Sequence, residues 1–115
     1  MVTAKSYTLT TPTGGWLGQV VLTSDGMFAS VTDYGNLSYA WRAFGTDFRQ
    51  FILSLDVSYF STKLSTGSTH ISYSSKVDKA CILFAEKILP ALQEALRLEI
   101  EQEKKNIVES SIIIH

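Results

Sequence analysis

At 115 residues, 45% hydrophobic and 18% charged, the chain can build one real core and is too apolar for wholesale disorder. A net charge of −1 and a pI near 6.1 supply no long-range attraction for nucleic acid or anionic membrane, which needs accumulated Lys and Arg. Cys81 is the single cysteine, which excludes an internal disulfide and suits a reducing compartment.

The opening stretch MVTAKSYTLTT has no apolar signal-peptide core, and no run approaches the roughly 18 apolar residues of a membrane span. The expectation is a cytoplasmic protein with no membrane segment. Residues 5–10, KSYTLT, set Lys5, Tyr7 and Leu9 against Ser6, Thr8 and Thr10, the period of a half-buried strand. Thr11-Pro12-Thr13-Gly14-Gly15 then breaks the pattern and allows a sharp reversal. Trp16 to Phe44 reads as three strands joined by tight turns at Ser24-Asp25-Gly26 and Asp33-Tyr34-Gly35-Asn36. Trp16, Gly18, Val20 and Leu22 share one face of the first strand. Met27, Ala29 and Val31 alternate with Phe28, Ser30 and Thr32, and Leu37, Tyr39 and Trp41 with Ser38, Ala40 and Arg42. With residues 5–10 added, the sheet has three to four antiparallel strands, one face apolar and one mixed, as under a layer of helices.

Thr46 is the expected cap of a short helix, with Asp47 in its first turn and Phe48, Phe51, Ile52 and Leu55 as its apolar stripe. Asp56 restarts a helix through Val57, Tyr59, Phe60, Lys63 and Leu64. Residues 65–74 read as a polar loop, with Ile71 and Tyr73 able to make a short strand. From Ser75, an S-x-x-D start leads into Val77, Cys81, Phe84, Ile88, Leu92 and Ala95 at helical spacing. Pro90 predicts a kink or two consecutive helices. A helix to Lys105 would be about 45 Å long, against about 35 Å across a compact domain of this size, so part of it should overshoot. Arg97–Glu101 and Glu101–Lys105 are spaced for helical ion pairs on a solvated face. The fold class is therefore α+β: a meander packed on one face by a short helix and a long, Pro-kinked C-terminal helix. Residues 1–105 make one domain and 106–115 a tail. In that tail Ile112, Ile113 and Ile114 are expected to dock on the sheet edge or on a second subunit.

No stretch carries a specific site motif. His70 and His115 have no Cys or His at ligand spacing, so no metal site is expected, and no cofactor either. The glycine-rich GGWLG enters a strand, without the Lys-Ser/Thr and helix of a phosphate loop. Cys81 sits on the apolar stripe as a small hydrophobe. Tyr7, Tyr34, Tyr39 and Trp41 suggest a base-stacking sheet, the single-stranded nucleic-acid alternative. Residues 1–74, however, hold only Lys5, Arg42, Arg49 and Lys63 as cations, balanced by Asp25, Asp33, Asp47 and Asp56. A sheet surface of Ser, Thr, Tyr, Trp and Gly has interface composition, and Tyr39 and Trp41 fit either an interface or a place beneath the helices.

The DGMF segment and the stretch TDYGNLSYAWRAFG give the chain a texture that resembles small proteins encoded by tailed bacteriophages and prophages, over about residues 6–105. That resemblance implies a bacterial cytoplasmic protein which blocks a host or defence complex, as anti-CRISPR proteins do. The combined expectation is a non-enzymatic protein-binding module with a host or phage protein as partner, itself a homodimer. Tyr34, Tyr39, Trp41, Leu96, Ile100, Ile112, Ile113 and Ile114 are the candidate interface residues.

Overall fold

The computed structural model describes the backbone of residues 1–68 and 75–113 and the side chains of 1–66 and 76–108. Four antiparallel strands, β1 (Ala4–Thr10), β2 (Trp16–Thr23), β3 (Met27–Thr32) and β4 (Ser38–Ala40), form a meander in the order β1-β2-β3-β4. Three helices follow: α1 (Phe48–Leu53), α2 (Val57–Ser68) and α3 (Ser75–Ile113). All cover one face of the sheet, so the architecture is the α+β class expected.

Turn chemistry places the reversals where the sequence breaks its alternation. Gly26 has φ +100°, and a Cβ there would lie 2.1 Å from the Trp41 carbonyl oxygen. Glycine is thus required both by conformation and by the chain crossing above it. That crossing is held by the Trp41 N–H donating to the Gly26 carbonyl at 2.8 Å. Gly18 meets a different constraint. It stands opposite Thr32, and a Cβ would come within 2.6 Å of the Thr32 methyl.

A register shift between Leu9 and Thr10 places Leu9 opposite Gly18 and Thr10 opposite Trp16, leaving Leu17 as an extra residue in β2. The bulge turns Leu17 into the core and Trp16 out to solvent, at 7% and 49% exposure. Strict alternation from Val20 and Leu22 puts Trp16 on the core face, and the bulge overturns that placement. On β3 the covered residues are Phe28 and Thr32, while Met27 and Val31 are exposed. The outward residues are therefore the more aliphatic set.

The core joins Tyr7, Leu9, Val20, Leu22 and Phe28 of the sheet to Phe48, Ile52, Phe60 and Leu64 of the first two helices. From α3 it takes Cys81, Phe84, Ala85, Ile88, Leu89, Leu92 and Leu96. Phe28 meets Phe60 and Phe84 edge-on, with ring centroids at 5.3 and 6.3 Å, and Trp41 stacks on Phe60 at 6.0 Å. Trp41 and Leu96 are thus core residues, 5% and 0% exposed, and offer no surface to a partner. That corrects their expected interface role: each lies on the covered side of its element.

Asp47, not Thr46, caps α1, its carboxylate accepting from the Arg49 N–H at 2.9 Å. Asp56 does the same for α2 through the Tyr59 N–H at 2.7 Å. Gln93 reaches from α3 to the end of α1 and donates to the carbonyls of Ile52 and Leu55, fastening α3 to the turn that follows α1. Residues 65–68, expected in a loop, complete α2, while His70, Ile71 and Tyr73 lie outside the described residues.

Helix α3 runs 39 residues without a break through Pro90, so the two-helix alternative is overturned. Burial of Ala85, Ile88 and Leu89 before the proline and of Leu92 and Leu96 after it clamps both sides. Each large apolar side chain so buried is worth about 1.5–3 kcal/mol, which outweighs one lost backbone bond. Residues 106–113 continue this helix. The overshoot is larger than expected: the molecule measures 61 × 35 × 21 Å, close to the ~58 Å of a 39-residue helix along its long axis.

Candidate protein-binding surfaces

Three surfaces stand out, and the sheet's uncovered face is the first. Its side chains are Ala4, Ser6, Thr8 and Thr10 on β1; Trp16, Gln19, Val21 and Thr23 on β2; Met27, Ala29 and Val31 on β3; Ser38 and Ala40 on β4. None is charged. Register aligns Ser6, Val21, Ala29 and Ser38 in one row and Thr8, Gln19 and Val31 in the next. Val21 and Ala29 are half-buried among these neighbours, and Gln19 donates to the Ser6 hydroxyl at 2.7 Å. The result is an aliphatic centre in a hydroxyl and amide rim, the layout of a protein interface.

Tyr7, Tyr39 and Trp41 point to the helix side of the sheet. Tyr39 is half-buried with its ring 4.7 Å from Trp41, and among the described residues Trp16 is the one strand aromatic on the outer face.

The second surface is a groove of about 730 Å³ between the β1 edge and the middle of α3. Leu9, Leu17, Ala91, Ala95 and Leu98 line it, with Glu86, Lys87 and Glu94 on the helix side. Tyr34 reaches it from the β3–β4 turn, exposed, with its N–H donating to the Thr32 hydroxyl. The groove had no signal in the sequence, since it exists only where a strand edge passes a helix more than seventy residues away.

An ionic cluster sits beside the third surface, where β1, α1 and α3 meet. Glu99 Oε1 accepts from the Tyr7 hydroxyl at 2.8 Å and from Arg49 Nη1 at 2.7 Å, and Lys5 pairs with its other oxygen. Arg49 also bonds Glu103 at 2.6 Å. Burial pushes Glu99 up, but the bonds from Lys5, Arg49 and Tyr7 outweigh it and hold the carboxyl below its ordinary value. Burial first, then the Glu99 hydrogen bond, raises Tyr7 well above a free phenol. The cations and carboxylates here neutralise one another, which makes the cluster a fastening more than a site. Among the described residues no group of His, Cys, Asp and Glu could hold a metal ion. No described helix is long and apolar enough to cross a membrane.

The third surface is the projecting part of α3. Leu98, Ile107 and Val108 are exposed and Ile100 is half-buried. Arg97 pairs with Glu94 at 3.0 Å, in place of the expected Glu101, and the Glu101–Lys105 pair is absent among the described residues. Ile112 and Ile113 belong to the last described turn of α3, and Ile114 lies outside the described residues.

Residues 1–80 match the model of a phage family, Phage_phiTE_072. The chain belongs to this phage family. The match spans the whole sheet, α1 and α2 of the phage protein, and so includes the uncharged outer face and the β1 edge. No curated protein and no solved structure matches the phage protein significantly.

Proposed function

We propose that the phage protein is a non-enzymatic binding module that docks onto a host or phage protein through the open face of its sheet. In its finer form, the module inhibits or modulates a host or defence complex, in the manner of anti-CRISPR proteins. The observation that carries the reading is the charge-free outer face with Met27, Val31 and Trp16 exposed on it. Water solvates such a surface poorly, and a contiguous apolar patch ringed by polar groups is characteristic of interaction sites. Strands of seven, eight, six and three residues at ~3.3 Å each, about 4.8 Å apart, give a footprint of roughly 400 Å². Side-chain relief raises that toward the ~800 Å² per partner of a standard interface. Membership in a phage family supports a bacterial cell as the place where the partner is met.

The test is paired capture from lysate of a host bacterium, with the wild-type chain and with Val31→Lys as baits. Val31 is 57% exposed, so the substitution spares the fold, while an unpaired charge buried in the interface costs several kcal/mol of binding. A partner retained by the first bait and lost with the second is the expected result. A partner bound equally by both, or turnover of a small molecule by the purified chain, overturns the reading.

Self-association is a second reading, supported by the overshoot of α3 and its exposed Ile107 and Val108. Two-fold pairing is the commonest way to cover such a surface. Sedimentation of the intact chain is expected to give a dimer, and a clean monomer at high concentration rejects it.

A further inference from the structure

We draw no further inference here: the strongest candidate, the exposed stripe of Leu98, Ile107 and Val108 on the projecting part of α3, carries nothing beyond the self-association already proposed for it, because nothing in the structure shows what covers it.

Discussion

Replacing Glu99 by Gln should lower stability at neutral pH and hardly at all in acid. Its carboxylate accepts from Tyr7 at 2.8 Å and from Arg49 at 2.7 Å and pairs with Lys5, with the side chain only 12% exposed. Hydrogen bonds to a charged group contribute about 1.5–3 kcal/mol each. The Lys5 pair adds little, because that side chain is 60% exposed and water screens it. Arg49 retains Glu103 after the change, and the amide oxygen still accepts from Tyr7, so the expected loss is about 2 kcal/mol. The pH dependence has a definite sign. Glu99's folded value is depressed, so its contribution is complete above the ordinary value of 4.5 and disappears as pH falls through the lower folded one. Urea unfolding of wild type and Glu99→Gln at pH 7 and near pH 3 should therefore show two curves that converge in acid. A difference that persists unchanged at low pH, or one below about 0.5 kcal/mol at pH 7, would refute the account of the cluster as an ionic fastening.

Tyr7 supplies the alkaline counterpart: its raised folded value means wild-type stability should hold to about pH 10 and fall above it, read by urea midpoints, whereas Tyr7→Phe should lack that limb. Gly26→Ala should cost roughly 1–3 kcal/mol or more from positive φ alone, with the Trp41 carbonyl 2.1 Å from the new Cβ adding to it; a thermal midpoint within two or three degrees of wild type would contradict this, using roughly 4–8 °C per kcal/mol for a domain of this size. Phe28→Ala removes a fully buried ring between Phe60 and Phe84, and chemical denaturation should register a loss of about 3–5 kcal/mol. Truncation after Lys105 removes no described residue of the core cluster, so unfolding of the single chain should move by no more than about 0.5 kcal/mol while sedimentation shows weaker self-association.

Local chemistry was legible in the sequence. Alternation with turn glycines at Gly26 and Gly35 marked the meander, and the stripe from Val77 through Leu92 marked α3, because both patterns depend on neighbours within a few residues. The overshoot of α3 followed from length alone. Which side chains face the helices did not follow. One extra residue at Leu17 reversed Trp16, and the apolar set Met27, Ala29 and Val31 took the outer face because packing against α2 and α3 selected Phe28. Tyr39 and Trp41 stayed ambiguous for the same reason. Spacing along the chain gives Glu99 no role, because its partners Tyr7 and Arg49 lie 92 and 50 residues away. The groove arose in the same way, from the passage of β1 beside α3. Spacing along the chain records the periodicity of each element; only docking of the elements determines which faces are covered and which charges meet.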